Sequence, residues 1–258
     1  MPRTTPRVAM VTGGLNGIGH AIACALASDG TRVAVGARRG DDPEVQAMAR
    51  DTIAGDAFVR ALDVRNETSV ETFCCAAEEA CGPIDILVNA AGVTLHQALT
   101  GHSLGDWRTV IDTNLTGPFL TMKALMPGMI NRRWGRIVNI ASTAARTAVA
   151  DHPAYCASKS GLLGLSRAAA LEGAPHGVNC VTVSPTWVET EMLRDSAAVM
   201  ARQSGRDIDA EIADLARANP QNRLVQPEEI AALVAFLCSD AAPAMTMEDI
   251  SVNAGAHW

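Results

Sequence analysis

The sequence has few aromatic residues and almost no lysine. Phe, Trp and Tyr make up 3% of the 258 residues, Tyr155 is the single tyrosine, and Lys123 and Lys159 are the two lysines. Both rare residue types meet in the segment AYCASKSG at 154–161, four positions apart. A phenol and an ammonium group at this spacing, in a chain that makes little other use of either, indicate a candidate functional site.

Other absences argue against whole classes of function. The formal net charge is -7, whereas nucleic-acid binding favours a basic face. No apolar run reaches the length of a membrane helix, and the N-terminal segment MPRTTPRVAM lacks the apolar stretch of a signal peptide. The seven cysteines form no Cys-x-x-Cys pair and have no histidine cluster nearby, so we expect no metal site. These features predict a cytoplasmic protein that binds neither nucleic acid nor membrane.

Short β-rich apolar runs alternate with longer segments in which apolar residues recur every three or four positions. Such alternation predicts one α/β domain over residues 1–258, with a parallel sheet covered by helices on both faces. The irregular segment 185–225 is predicted to form short helices over the carboxyl edge of the sheet, where ligands bind in such folds. The predicted strands are 7–11, 32–35, 57–62, 84–88, 136–140, 179–183 and 249–252, and the predicted helices are 17–28, 70–81, 115–130, 154–172 and 227–238.

A glycine-rich turn, TGGLNGIG at 12–19, follows the first predicted strand and opens the first predicted helix. Glycines at 13, 17 and 19 let the backbone turn tightly and approach a pyrophosphate, whose charge the helix N-terminus stabilises. Many glycine-rich turns bind nothing. The position of this one, between a strand and a helix, is what favours dinucleotide binding.

The end of the second predicted strand indicates which dinucleotide is preferred. Sites for NAD usually place an acidic residue here to bind the ribose 2′-hydroxyl, but this chain has Ala37, followed by Arg38 and Arg39. A guanidinium group suits the 2′-phosphate of NADP, so we favour NADP(H) over NAD(H). The alternative is a solvated basic pair neutralised by Asp41 and Asp42.

Tyr155 and Lys159 share one face of a predicted helix, because positions i and i+4 are neighbours on a helix surface. A free phenol has a pKa near 10 and is a poor base at neutral pH. A cation about 4 Å away supplies on the order of 4 kcal/mol in a partly shielded site, enough to bring such a pKa close to neutrality. We therefore expect Lys159 to lower the pKa of Tyr155, which would move a proton at a carbonyl or alcohol oxygen. The alternative is an aromatic ring packed in the core beside a solvated lysine.

These motifs, in this order, resemble the short-chain dehydrogenase/reductase family, most of all its ketoreductase branch with the 3-oxoacyl carrier-protein reductases. The resemblance spans about residues 7–255 and includes VNAAG at 88–92, Asn114 in DTNLTG and Ser142 in IVNIAST. It implies a Rossmann-type doubly wound fold with a seven-stranded, mainly parallel sheet in the order 3-2-1-4-5-6-7. It also implies an NADP(H)-dependent enzyme that interconverts a ketone and a secondary alcohol.

The resemblance implies a role for each matched position. Tyr155 transfers the proton, Ser142 binds the substrate oxygen, Lys159 binds the nicotinamide ribose, and Asn114 holds a water of a proton relay. The implied cofactor-binding residues are Gly13, Leu15, Asn16, Gly17, Ile18, Gly19, Arg38, Arg39, Asp63, Val64, Asn89, Ala90, Gly92, Tyr155, Lys159, Pro185, Val188 and Thr190. The candidate substrate-binding residues are Thr94, His96, Ser142, Tyr155, Trp187 and Met192, with His152 a further possibility, and no metal is implied.

The sequence departs from the family pattern in two places. It has Asn89-Ala90-Ala91-Gly92 where the family usually has Asn-Asn-Ala-Gly, which is a mild change among small residues. It has Pro185-Thr186-Trp187 where the family usually has Pro-Gly, so a β-branched residue replaces a permissive glycine. We expect cofactor binding to survive and the substrate pocket to differ, with Trp187 facing that pocket or bracing its lid; the alternative is plain packing.

Two other functions stay open. A 3-oxoacyl carrier-protein or acyl-CoA reductase would need basic residues to dock an acidic carrier, and Arg132, Arg133 and Arg136 are candidates. His176, however, stands where the resemblance implies an arginine, which favours a small-molecule ketone or secondary alcohol. A cofactor-binding regulator without turnover is the more distant alternative, because the catalytic residue types are all present.

We expect a homo-oligomer, a tetramer or a dimer, built on the long predicted helices at about 114–131 and 153–173. The apolar tail SVNAGAHW suggests that Trp258 contacts a neighbouring subunit. The alternative for the tail is packing against the last strand of its own chain.

Overall fold

In the computed structural model, which describes residues 5–256, seven strands form one sheet in the order β3-β2-β1-β4-β5-β6-β7, and all pairs are parallel. The implied sheet order is thus confirmed. Trp258, for which a subunit contact is predicted, lies outside the described residues. The strands are β1 (Val8–Thr12), β2 (Arg32–Ala37), β3 (Phe58–Ala61), β4 (Ile86–Asn89), β5 (Gly135–Ile140), β6 (Val178–Pro185) and β7 (Asp249–Val252).

Helices connect the strands and cover both faces of the sheet. Those at 17–28 and 227–238 have the predicted bounds, and segment 185–225 contains two helices. The helices are α1 (Gly17–Ser28), α2 (Pro43–Thr52), α3 (Glu67–Cys81), α4 (Leu104–Ile111), α5 (Gly117–Arg132), α6 (Pro153–Gly173), α7 (Glu191–Ser204), α8 (Ile208–Ala218) and α9 (Pro227–Cys238).

Two helices, α2 and α4, are absent from the sequence prediction. Each buries a single side chain, Ala49 in α2 and Val110 in α4, so neither contributes much to the core. Each of these helices begins at a capping residue whose side chain accepts a hydrogen bond from the main chain. Asp42 accepts a hydrogen bond from the Glu44 N–H (3.0 Å), and Ser103 accepts one from the Asp106 N–H (3.0 Å).

The central strands are apolar because both of their faces are covered. Every residue of β1, β5 and β6 is buried, as is usual for a parallel sheet between two helical layers. In-register pairing of Val11 with Val88, Val88 with Val138 and Val138 with Val181 makes these strands end at one common edge. The loops that follow β1, β4, β5 and β6 therefore meet at this carboxyl edge.

A buried amide in segment 185–225 joins the end of the segment to its start, directly after β6. The Thr186 hydroxyl donates to Oδ1 of Asn219 (3.2 Å), and Nδ2 of Asn219 donates to the Arg223 carbonyl (2.7 Å). The threonine that replaces the family's glycine thus has a structural use. Thr190 caps α7, and its Cγ2 lies 3.2 Å from where a Cβ on Gly17 would stand, so α7 starts beside the glycine-rich turn.

The opposite, amino edge of the sheet holds a cluster of cations. The guanidinium groups of Arg7 and Arg136 both lie over the Trp134 ring, 3.4 and 4.4 Å from its centre, and Arg7 also pairs with Asp240 (2.6 Å). Arg132 donates to the Ile84 carbonyl (2.5 Å). Two of the three arginines proposed for carrier-protein docking are therefore occupied within the fold.

Candidate active site

A cavity of about 150 Å³ opens at the carboxyl edge of the sheet, between the ends of the central strands and the start of α7. Half of the predicted site residues line it, and they come from segments far apart in the chain. These are Ile18, Ala90, Gly92, Thr94, Ser142, Tyr155, Lys159, Pro185, Trp187, Val188, Thr190 and Met192.

Ser142 and Tyr155 both line this cavity, with their side chains within reach of a hydrogen bond. Ser142 follows β5, where its Oγ accepts a hydrogen bond from the Ala144 N–H (3.1 Å), and Tyr155 lies in the first turn of α6. Burial of the phenol raises the pKa of Tyr155, and its side-chain hydrogen bond with Ser142 opposes that rise. The serine thus favours the ionised form of the tyrosine.

Lys159 lies one helical turn beyond Tyr155, as the spacing predicts, but its ammonium group bonds elsewhere. Nζ donates to the Ile140 carbonyl (2.7 Å) and lies 5.6 Å from the centre of the Tyr155 ring. Burial lowers the pKa of Lys159 to about 8. Ser142 is the group that opposes the rise in the pKa of Tyr155 in this structure, and the expected effect of Lys159 on that pKa stays a prediction.

Asn114 is fully buried in a π-helical turn, Asp112–Thr116, between α4 and α5. Its Oδ1 accepts from the Val93 N–H (2.9 Å), and its Nδ2 donates to the Val93 carbonyl (2.9 Å) and to Oγ of Ser158 (3.1 Å). These bonds tie the loop after β4 to α6. A π-turn of this kind often marks a functional site, because it re-aims one side chain inside a regular helix.

The glycine-rich turn packs tightly against the end of β4. The Thr12 hydroxyl accepts from the N–H groups of Ala90 (3.2 Å) and Ala91 (3.1 Å). A Cβ on Gly13 would lie 2.8 Å from the Ala91 Cα, and one on Gly19 would lie 2.4 Å from the Gly13 carbonyl oxygen. Both positions therefore need glycine. Leu15 and Ile18 pack against the core below, whereas Asn16 is exposed and its side chain makes no capping bond.

The two arginines after β2 differ in their surroundings. Arg39 forms an ion pair with Asp42 (2.6 Å), as the solvated-pair alternative predicts. Arg38 is exposed and forms no ion pair within residues 5–256, although its charge helps to lower the pKa of Asp63. The Asp41 carboxylate accepts from the Ala61 N–H (2.9 Å) and fixes the end of β3. Arg38 is thus the available cation of the pair.

Three predicted cofactor residues have structural partners. The side chain of Asn89 bonds inward to Asn139 (2.8 Å) and to Thr121 (2.7 Å), which leaves only its main chain for a ligand. Asp63 is held by two hydrogen bonds from Arg65, the main cause that lowers its pKa. Val64 is buried against Gly117.

The candidate substrate residues divide into two groups. Thr94, Trp187 and Met192 line the cavity, but His96 does not; its Nε2 bonds to Gln203 (2.9 Å). His152 lines the cavity.

Other residues that line the cavity were not predicted from the sequence. Helical spacing would have found one of them, Ser196, which lies four positions after Met192. These unpredicted residues include Thr143, Val149 and Ser196.

Comparison with known proteins decides the family. A family model described as enoyl-(acyl carrier protein) reductase matches residues 13–257. The chain belongs to the short-chain dehydrogenase/reductase family. It is accordingly an oxidoreductase, and the ketoreductase resemblance drawn from its motifs is confirmed. Within residues 5–256 no helix is long and apolar enough to cross a bilayer, and no cluster of His, Cys, Asp and Glu could hold a metal.

Relatives in this family carry different substrate names. The chain is 36% identical over 254 residues to an acetoacetyl-CoA reductase of Cupriavidus necator, covering 98% of this chain and 99% of the relative. It is 38% identical over 253 residues to a D-threitol dehydrogenase of Mycolicibacterium smegmatis, covering 98% and 94%. A solved tryptophan variant of actinorhodin polyketide ketoreductase with NADPH is 35% identical, covers 99% and 98%, and has a TM-score of 0.93.

Proposed function

We propose that this short-chain dehydrogenase/reductase interconverts a small, neutral ketone and a secondary alcohol, with NADP(H) as cofactor. The observation that carries the proposal is the hydrogen-bonded Ser142–Tyr155 pair in a cavity beside buried Lys159. Lys159 is the only charged residue among those described that line the cavity. A substrate carboxylate or phosphate would therefore find no arginine there.

The residues present fit a dinucleotide. A Cβ at Gly92 would lie 3.5 Å from Oδ1 of Asn114 and 3.7 Å from Nζ of Lys159, so glycine keeps open the space beside this lysine. Arg38, exposed and without an ion pair, suits a 2′-phosphate, and Ala37 brings no competing carboxylate. The ketoreductase of similar fold was solved with NADPH. A bound nicotinamide would supply hydride to the carbonyl carbon or accept it from the alcohol.

The roles of the side chains follow from their bonds. The Tyr155 hydroxyl donates a proton to the developing alkoxide in reduction and removes it in oxidation. Ser142 hydrogen-bonds the same substrate oxygen and stabilises the ionised phenol. Lys159 and Asn114, both buried near Gly92, hold the ribose side of the site and carry the proton onward.

A substrate panel tests this proposal and its alternatives. Cyclic and linear ketones, the matching alcohols and acetoacetyl-CoA are each assayed with NADP(H) and with NAD(H). We expect turnover of free ketones with NADPH. Turnover confined to acetoacetyl-CoA would favour the acyl-CoA alternative, which the names of relatives support. NADPH binding without turnover of any compound would favour a regulator.

The Arg38→Asp variant tests the cofactor preference separately. Losing a charge-assisted contact of about 1.5–3 kcal/mol and adding an acid for the 2′-hydroxyl should shift the ratio of kcat/KM for NADPH over NADH by about 10–100-fold toward NADH. Arg39→Asp serves as the control, because Arg39 is already paired with Asp42. An unchanged ratio in Arg38→Asp would refute the phosphate role.

We further infer a homo-oligomer in the cytoplasm. The long helices α5 and α6 expose Phe119 (46%) and Leu171 (64%), apolar side chains that a subunit contact would cover. The seven cysteines are all free thiols, which suits a reducing compartment. Light scattering should give a mass of two or four times 27.0 kDa; one chain mass would refute the oligomer.

A further inference from the structure

Two polar side chains of the cavity wall have unused hydrogen-bonding capacity. His152 is 4% exposed and lines the cavity, and its Nδ1 bonds to the Ala150 carbonyl (2.8 Å). Thr94 lines the same cavity, and its Oγ1 is buried without a partner within residues 5–256. We call these two residues the polar wall. Buried polar groups are nearly always bonded, so the unpartnered Thr94 hydroxyl at a ligand cavity points to a ligand group.

The partner of His152 fixes its tautomer. A carbonyl oxygen only accepts, so Nδ1 must carry the hydrogen. Burial lowers the pKa of His152, which keeps the ring neutral, and Nε2 is therefore left as an acceptor. No described residue donates to Nε2. The ring is also held in place, because the His96 ring packs perpendicular to it with centres 4.9 Å apart.

Thr94 complements this acceptor. A threonine hydroxyl both donates and accepts, and a rotation about χ1 exchanges the positions of its hydroxyl and methyl groups. A ligand group that bonds both residues must donate to His152 and can bond Thr94 in either sense. A hydroxyl group meets this requirement, whereas a carbonyl oxygen cannot donate to His152.

We propose that the polar wall binds a second hydroxyl group of the substrate, on the carbon next to the reacting carbonyl or one carbon beyond it. This inference rests on the proposed function and names its substrate class: a hydroxyketone, reduced to a diol. The short spacing follows from the position of the wall, because the His152 and Tyr155 rings are 6.5 Å apart. The reacting oxygen at Tyr155 and the second oxygen at His152 must therefore lie close together on the substrate.

Matched ketones test the proposal. The wild type is assayed with NADPH on hydroxycyclohexanone, cyclohexanone and methoxycyclohexanone, whose second oxygen accepts a hydrogen bond but cannot donate one. We expect kcat/KM for hydroxycyclohexanone to exceed that for each of the other two at least about tenfold, mainly through KM. Equal values, or a preference for the methoxyketone, would overturn the proposal and leave the proposed function standing.

Variants then locate the preference. Thr94→Val removes the hydroxyl with little change in shape, and His152→Phe removes the acceptor. In each variant the ratio of kcat/KM for the hydroxyketone to kcat/KM for cyclohexanone should fall towards one. Thr94→Ser, which restores a hydroxyl, should recover it. His176→Gln, at the amino edge of the sheet, is the matched control and should keep the wild-type ratio. A wild-type ratio in both Thr94→Val and His152→Phe would place the preference elsewhere and overturn the proposal.

A binding assay decides the question without turnover. The affinities of vicinal cyclohexanediol and cyclohexanol are measured by titration in the presence of NADPH, with which an alcohol cannot react, after melting curves confirm that each variant is folded. We expect the diol to bind at least about tenfold more tightly to the wild type and not to Thr94→Val. If no ketone is reduced, the proposed function fails, but the diol preference still supports or refutes the polar wall.

Discussion

The two edges of the sheet treat their polar side chains in opposite ways. At the amino edge, Arg7 and Arg136 lie over Trp134, and Arg7 is paired with Asp240. At the carboxyl edge, Lys159 is buried and forms no salt bridge within residues 5–256, and the buried hydroxyl of Thr94 has no hydrogen-bond partner there. The first arrangement stabilises the fold, and the second reserves hydrogen-bonding capacity for a ligand.

The burial of Lys159 has a cost in stability. It lowers the pKa of Lys159 to about 8, which means that the folded protein disfavours the charged form of this side chain. A residue retained at such a cost in the active site is expected to act there. The same burial lowers the pKa of Arg136, but that guanidinium group lies over an aromatic ring outside the cavity.

The largest effect expected at the carboxyl edge comes from Tyr155→Phe. The variant keeps the ring and removes the hydroxyl that we propose transfers the proton, so kcat should fall by about 10²–10⁴-fold. NADPH affinity, measured by fluorescence, should change little. A kcat within tenfold of the wild type would contradict the proton-transfer role of Tyr155. It would also contradict the view that the carboxyl edge serves the reaction and the amino edge serves stability.

At the amino edge, Trp134→Ala should affect stability and spare catalysis. Removing the ring takes away the packing of a half-buried aromatic side chain and the contacts with two guanidinium groups. We expect a loss of about 2–3 kcal/mol in the free energy of unfolding, measured with denaturant. The value of kcat below the unfolding transition should stay within about twofold. A stable variant with low kcat would show that this edge takes part in the reaction.

The smallest expected effect is on the stability of the Lys159→Met variant. It is a gain, whereas Trp134→Ala should lose stability. An unfolded lysine has a pKa of about 10.4, so at pH values between 8 and 10.4 the unfolded chain binds more protons and stability rises with pH. Below pH 8 the burial of the charge costs roughly 3 kcal/mol in full. Lys159→Met removes this cost but leaves the Ile140 carbonyl unbonded, which costs about 1–2 kcal/mol.

The Lys159→Met variant should therefore be inactive, yet more stable than the wild type by about 1–2 kcal/mol at pH 7. Melting curves at several pH values should show the advantage shrink as the pH rises from 8 to 10. A variant that is less stable than the wild type at every pH would contradict the account of a strained, functional lysine.

The motifs predicted the sheet order and the meeting of Ser142, Tyr155 and Lys159, because strand ends and helical spacing depend on local patterns and on the family resemblance. The sequence prediction missed helices α2 and α4, which each begin at a capping residue and bury a single side chain. The bond from Lys159 to the Ile140 carbonyl joins residues 19 positions apart and is invisible to spacing rules. The tautomer of His152 likewise depends on how the loop before α6 folds.

The central claim is that Ser142 counteracts the rise that burial causes in the pKa of Tyr155, and the pH dependence of alcohol oxidation tests it most directly. Oxidation needs the ionised phenol, so kcat/KM should rise with pH up to the pKa of Tyr155 and then level off. Ser142 opposes the rise in this pKa that burial causes, so in Ser142→Ala the rising limb should move to higher pH. A limb at the same pH in the variant and the wild type would contradict the claim.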